Sequence, residues 1–403
     1  MDHSSQGRDV IVRNKWLVIS KIGEGSFGEV FKVKDIDTNR FYALKREPLN
    51  VPCPQLRHES LMYSLLKGGP CIPKCHWYGQ HDDFDCIVID LLGTNLRELQ
   101  LSVKYMALTL ITDFGCQLLS FLEYVHSKGI VYRDLKPENF LLLKSCGAHD
   151  MARLNWTSLA RTSSILSSSL YPYRTITTGT VTSHTHHGTR ISPVQLPPSP
   201  PDSITLSWEQ HDPVRKQPLH LDKRTKNPYN DSNVYKGEKK NNNDHHRFFD
   251  SKDALSSDLH VIDFGLATWW RNPKTGQPYP ERKRPIKHKT GTARYASLNV
   301  HRGCAHARRD DIESLGYLLL DLLLAGDLPW SGVTARTSKA GWDRIQAIKE
   351  STFLEDLLLD GSPTGSYRHG GHGIITFIEY ARTLAFEERP DYDYLRKLLR
   401  SNL

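Results

Sequence analysis

Tyr132-Arg133-Asp134-Leu135-Lys136-Pro137-Glu138-Asn139 decides how the rest of this chain is read. It matches the pattern H-R-D-x-x-x-x-N at every fixed position but the first, where Tyr132 stands in place of His. These residue types fit one reaction, the transfer of a phosphoryl group to a hydroxyl. That reaction needs a carboxylate beside the nucleophile, and Asp134 is the residue to accept or orient its proton. Lys136, two residues on, would neutralise charge on the moving group, and Asn139 would ligate Mg²⁺. Tyrosine at 132 is expected to alter packing under the loop and to leave the transfer chemistry alone.

Upstream, Gly23-x-Gly25-x-x-Gly28 is a weak signal by itself, because dinucleotide-binding turns share its spacing. The flanks decide between them. Glu29-Val30-Phe31-Lys32-Val33 reads as a strand and not as a helix start, so the glycines sit in a hairpin of the kind that covers ATP phosphates. Ile22, Gly23, Glu24, Gly25, Ser26, Phe27, Gly28, Glu29 and Val30 are the candidate nucleotide-covering residues. Tyr42-Ala43-Leu44-Lys45 then supplies a lysine at the end of a third strand, able to reach the α- and β-phosphates as a point charge. The helical pattern after Pro54 offers Glu59 as the carboxylate that orients it. Alone, each would read as a solvated surface charge; after the glycine loop they read as a phosphate-orienting pair.

Downstream, the apolar run Leu259-His260-Val261-Ile262 leads into Asp263-Phe264-Gly265, where Asp263 would chelate the Mg²⁺ that bridges two phosphates. Asp311, at the start of a buried helical pattern, would brace the catalytic loop from behind. Between the two motifs, residues 147–257 change character: Ser, Thr, His, Pro and Asn dominate and no apolar period recurs. That low-complexity insertion is expected to be disordered. Ser192-Pro193 and Ser199-Pro200 offer modification sites, and His184, His186 and His187 read more readily as a solvated tract than as a metal site.

The most specific resemblance comes next. Gly291-Thr292-Ala293-Arg294-Tyr295-Ala296-Ser297-Leu298-Asn299 and Arg308-Arg309-Asp310-Asp311-Ile312-Glu313-Ser314-Leu315-Gly316-Tyr317 look like casein kinase I. Most protein kinases carry Ala-Pro-Glu where this chain has Ser297-Leu298-Asn299. Leu328-Pro329-Trp330 and Arg389-Pro390-Asp391-Tyr392-Asp393-Tyr394-Leu395 extend the match, which covers everything outside the insertion. The resemblance implies an α+β, two-lobed protein kinase fold: a small β-rich lobe over 10–92 and a larger helical lobe over 93–400, interrupted by 147–257. It implies ATP and Mg²⁺ as cofactors, with adenine against Asp90–Leu92, Ala43 in the nucleotide site and Ile89 as gatekeeper. It also implies Ser/Thr acceptors in acidic or already phosphorylated protein substrates, read by Lys287, Arg294 and the backbone of Gly332. A further family lysine falls here on Gly341, with Lys339 and Arg344 nearby.

The chain has 403 residues, 38% of them hydrophobic, which is enough for two lobes with buried cores. No apolar run is long enough to span a membrane, and neither a secretory signal nor a lipidation motif is expected. Seven cysteines at irregular spacing suggest reduced thiols in a cytoplasmic or nuclear compartment. Cys71-x3-Cys75 reads more readily as buried thiols than as half a zinc site. The formal charge of +8 favours anionic partners without choosing among them; no sequence-specific nucleic acid is expected, and the protein should be a monomer. A pseudokinase scaffold is the alternative reading, set against the presence of Lys45, Asp134, Asn139 and Asp263 together.

Overall fold

Six strands form one antiparallel sheet: β1 (Ile11–Val12), β2 (Trp16–Gly25), β3 (Gly28–Asp35), β4 (Phe41–Pro48), β5 (Cys75–His81) and β6 (Phe84–Asp90). Their order is β1-β2-β3-β4-β6-β5. The computed structural model describes residues 10–25, 28–103, 105–150, 154, 257–281, 289–359 and 371–401. The chain divides into two units, residues 1–177 with 255–403, and residues 178–254, of which the second lies outside the described residues. Period-2 alternation splits the sheet's side chains between its faces. Val33, Leu44, Cys86 and Val88 go to one face, where with Val12 and Trp16 they make a small core of their own. Ala43 and Lys45 on β4 pair with Ile89 and Ile87 on β6 and occupy the other face.

That second face is covered by α1 (Leu56–Leu65), which buries Leu56, Glu59, Met62 and Tyr63. Its N-terminus receives no side-chain cap from its own first residues. Glu47, from the end of β4, supplies one instead, accepting the backbone N–H of Gln55 at 3.0 Å and of Leu56 at 3.1 Å. A carboxylate at this end also complements the helix dipole. The helix is thereby tied to the strand that carries Lys45.

Helices dominate from here on: α2 (Leu96–Ser102), α3 (Leu108–Ser127), α4 (Leu298–His301), α5 (Arg308–Leu323), α6 (Ser338–Ser351), α7 (Asp356–Leu359), α8 (His372–Thr383) and α9 (Tyr392–Arg400). The apolar residues of α3 recur at a 3.6-residue period, and the helix buries Leu110, Ile111, Phe114, Leu118, Leu122 and Val125. It stops at Gly129, whose φ of 85° lies in the region glycine adopts without strain. Helix α5 is buried from Asp310 through Leu323 and forms the axis of the larger core. Two-stranded ladders flank the catalytic loop: β7 (Ile130–Val131) with β10 (Thr268–Trp269), and β8 (Phe140–Leu142) with β9 (Leu259–Val261). An antiparallel-sheet lobe followed by a helical lobe fits the architecture that the resemblance implies.

The register Leu142↔Leu259 closes the long 147–257 segment at its base. Its edges differ from the composition-based boundary. Leu154 is fully buried in the larger core, and Ser257 is buried with its hydroxyl donating to Asp113 Oδ2 at 2.8 Å. A composition window averages over neighbours, so it blurs the last residues that pack. Ser192, Ser199, His184, His186 and His187 lie outside the described residues. Among the described residues no helix is long and apolar enough to cross a membrane.

Candidate functional site

Three backbone carriers converge on one cleft: the end of β4, the loop after β7, and the turn after β9. On the first, Lys45 Nζ donates to Glu59 Oε2 at 2.7 Å and lies 3.6 Å from Asp263 Oδ1. Burial alone would lower the lysine's pKa, but Glu59 and Asp263 outweigh it and hold the ammonium above its ordinary value. Sheet register sets this position. Gly23 pairs with Val30, and Val30 with Lys45, so the glycine hairpin and the lysine share one rung of the sheet. Gly28, at the hairpin's far side, has φ 124° and no room for a Cβ, which would overlap the carbonyl of Arg46. Lys21 bridges Glu24 at 2.7 Å and Glu29 at 2.8 Å, offsetting the two carboxylates nearest the loop. Ser26 and Phe27 lie outside the described residues.

In the catalytic loop Asp134 is almost wholly buried, and three side-chain donors reach its carboxylate. Its Oδ2 accepts from Lys136 Nζ at 2.7 Å and from Asn139 Nδ2 at 3.0 Å, while Oδ1 accepts the Thr292 hydroxyl at 3.0 Å. Arg133, just before it, has φ 70°, and Asp263 has φ 63°. Such conformations cost about 1–3 kcal/mol each in non-glycine residues and persist only where the surroundings enforce them. The enforcement is visible. Asp311 accepts the backbone N–H of Tyr132 at 2.8 Å and of Arg133 at 2.9 Å. His126 and His306 donate to the same carboxylate at 2.9 and 3.1 Å. Burial opposes the charge, but these hydrogen bonds hold the Asp311 carboxyl well below the usual range.

Tyr132 does more than fill space. Its hydroxyl donates to the carbonyl of Ile262 at 2.7 Å, directly before Asp263. Its ring meets Phe264 edge-on at 5.5 Å, and Phe264 in turn meets Tyr63 of α1 at 5.0 Å. One aromatic stack therefore links α1, the catalytic loop and the Asp263 turn. Asn139 gives its amide N–H₂ to the Asp134 carbonyl and carboxylate, which leaves its amide oxygen for a cation. One carboxylate oxygen from Asp263 and one amide oxygen from Asn139 form the sparse, hard set that Mg²⁺ accepts when phosphates and water complete its shell. Among the described residues no group of three or more His, Cys, Asp or Glu could hold a metal.

The segment facing the cleft is fixed from beneath. Gly291 has φ 89°, and a Cβ there would stand 2.5 Å from the Arg133 carbonyl, so this close approach delivers Thr292 to Asp134. Ser297 caps α4 and donates to Asp310 Oδ1 at 2.6 Å. Lys349, fully buried on α6, donates to the carbonyls of Ala293 at 3.1 Å and Ala296 at 2.6 Å. Its Nζ lies 4.2 Å from the Tyr317 ring centre and 5.2 Å from that of Trp330, and burial pushes its pKa well below the ordinary lysine value. Thr292, Asp321, Lys349, His126 and His306 carried no role in the motif reading. Their partners lie far off in sequence, as His126 and Asp311 do at a separation of 185, and no local pattern marks them.

Two expected contacts acquire detail from the geometry. Asp90 was expected beside the adenine as part of Asp90–Leu92, and its carboxylate accepts the Lys74 N–H at 2.6 Å and meets His76 Nε2 at 2.7 Å. Only its backbone is left to meet an adenine ring. Arg294 was expected to present a guanidinium to substrate phosphate, and its Nη2 donates to the fully buried Asp321 and to the Gly326 carbonyl, both at 2.5 Å. An uncompensated carboxylate in α5 would be costly, so the arginine is drawn inward. Gly332 lies in the turn after Trp330, whose indole donates to the Arg294 carbonyl at 2.8 Å, and has φ 68°. Lys287 lies outside the described residues.

The family model of the protein kinase domain matches residues 16–152. That match supports the protein kinase superfamily. It spans β2 to β6, Lys45, Glu59, Asp134 and Asn139, and ends before Asp263. Kinase domains use the chemistry that these positions suggest, a phosphotransfer from ATP assisted by a divalent ion.

Proposed function

We propose that this chain is an ATP-dependent serine/threonine protein kinase of casein kinase I type, with Asp134 as the residue that orients the acceptor hydroxyl. The observation that carries this reading is the Asp134 carboxylate. Thr292 fixes one oxygen and Lys136 with Asn139 fix the other, within a cleft that also holds the Lys45–Glu59 pair and Asp263. Such rigid positioning is most of what phosphoryl transfer asks of a protein. Lys45 orients the α- and β-phosphates, and Lys136, already at Asp134, stabilises charge on the group in transit. Asp263 and Asn139 would hold Mg²⁺, which when bound supplies charge neutralisation at the bridging phosphate oxygens. Ile22, Val30, Ala43 and Ile89 would line the adenine side, with the backbone of Asp90–Leu92 providing polar contacts.

The finer assignment rests on Ser297-Leu298-Asn299, of which Ser297 caps α4 and donates to Asp310. Acidic or phospho-primed proteins are the proposed substrates. The Arg294–Asp321 pair moderates that preference, since a substrate phosphate must share the guanidinium with a buried carboxylate. The test is γ-phosphate transfer to matched peptides carrying phosphoserine, aspartate or alanine three residues before the acceptor serine. The primed peptide should be favoured by less than about tenfold, equivalent to about 1.4 kcal/mol, and Asp321→Asn should widen the gap. A preference for the alanine peptide would remove the acidic-substrate assignment.

A further inference from the structure

Behind the catalytic loop, away from the nucleotide cleft, a cavity of about 480 Å³ opens between the end of α3, the turn after β10, the start of α5 and the start of α9. Three guanidiniums line it, from Arg271, Arg308 and Arg389, and its walls include Trp270, Tyr124 and Tyr392. The cations are laid on the rings: Arg308 stands 3.9 Å and Arg271 5.3 Å from the Trp270 centre, and Arg389 stands 6.0 Å from that of Tyr392. Arg271 donates to the Ser127 carbonyl, and Arg308 to the Glu387 carbonyl, each at 2.5 Å. Those bonds fix the side chains while using few of the five N–H donors on each guanidinium. The lining carboxylate, Glu123, is shared between Arg389 at 3.5 Å and Arg396 at 2.6 Å, so the site's charge stays positive. Burial lowers the Arg308 pKa; Tyr392 opposes that shift, and the like charges of Arg389 and Arg271 add to it.

We propose that this cavity is a second binding site, for an aryl phosphate: an aromatic ring bearing a phosphate, as in phosphotyrosine. The chemistry selects each half of that ligand. Guanidiniums in a group are the side chains best suited to a phosphate dianion, through forked, charge-assisted hydrogen bonds. A bare phosphate would leave most of the volume empty, whereas this volume lies in the range of small-molecule sites, and flat aromatic walls suit a ring. The floor is already rigid: His126 bridges the Tyr392 hydroxyl at 2.7 Å and Asp311 at 2.9 Å, so little ordering remains to oppose binding. Nothing in the transfer reaction uses these arginines, and the inference stands apart from the kinase reading.

Calorimetric titration of the full chain with phenyl phosphate tests it, with the nucleotide cleft first filled by a non-hydrolysable ATP analogue and Mg²⁺. Phenyl phosphate should bind at least about tenfold more tightly than inorganic phosphate or benzyl alcohol. Arg271→Ala combined with Arg389→Ala should weaken it by about tenfold or more, and Arg294→Ala should leave it unchanged. Should the double variant fold poorly, Arg389→Gln alone serves, because that side chain is 72% exposed and its loss does not threaten the core. Three outcomes overturn the proposal: no binding up to about 10 mM, binding that survives the arginine variants, or inorganic phosphate binding as tightly as phenyl phosphate.

Discussion

Asp134 carries three side-chain donors, and the contribution of each can be measured separately. Thr292→Val keeps the shape of that side chain and removes the hydroxyl that meets Oδ1 at 3.0 Å. A hydrogen bond to a charged group contributes about 1.5–3 kcal/mol, so kcat for peptide phosphorylation should fall about 10- to 100-fold. Because Thr292 bonds the carboxylate proposed to orient the acceptor, the KM for ATP should stay unchanged in the same steady-state assay. A kcat within about twofold of wild type would show that Lys136 and Asn139 suffice to hold the carboxylate. Lys45, Glu59, Asp134, Asn139 and Asp263 were legible in the sequence because their motifs are short and their chemistry restricts the residue types. Thr292 was visible only as part of a family resemblance, since its partner is 158 residues away. The inward hydrogen bonds of Arg294 were illegible for a related reason. Asp321, which turns it inward, sits amid a leucine-rich helix where the pattern suggests only core.

Elements deliver these residues, and two of the linkages are specific enough to break. Glu47 ties the start of α1 to β4, and Glu47→Ala removes the acceptor of two backbone N–H groups. Loss of such a cap costs about 1–2 kcal/mol, measurable by urea unfolding, and should raise the KM for ATP by loosening Glu59 against Lys45. Lys349 ties α6 to the segment carrying Ala293 and Ala296. Lys349→Met keeps the apolar stem against Tyr317 and Trp330 but removes both donors. Peptide kcat/KM should fall about tenfold or more while ATP KM holds, with partial rescue in Lys349→Arg. Loss of nucleotide affinity instead would place Lys349 in general stability. The strand through Glu29-Val30-Phe31-Lys32-Val33 could be read from its residue pattern. The cap from Glu47 could not, because a carboxylate at the end of one strand gives no hint that it closes the next helix.

At the scale of the molecule, buried histidines make stability depend on acid. Burial is the main cause that pushes His301 down to about 3, and burial also lowers His126. Both are favoured neutral in the folded state, whereas the unfolded chain takes up protons near pH 6.5. Stability should therefore be full above about pH 6.5 and be lost as pH falls toward 3, with Asp311 adding to the loss below about pH 4. Thermal unfolding across that range should show the decline, shallower in His301→Gln; a flat profile would contradict the buried-neutral assignment. The 147–257 segment is closed at its base by the Leu142↔Leu259 pair, so deleting 155–256 should preserve the fold and add about 2 kcal/mol through a shorter closed loop. Phosphoryl transfer by this protein depends first on Asp134. Transfer of labelled γ-phosphate from Mg·ATP to a serine peptide should be robust in wild type and fall at least about a thousandfold in Asp134→Asn, with nucleotide affinity unchanged. Absence of transfer from folded, nucleotide-binding wild-type protein would contradict the kinase reading.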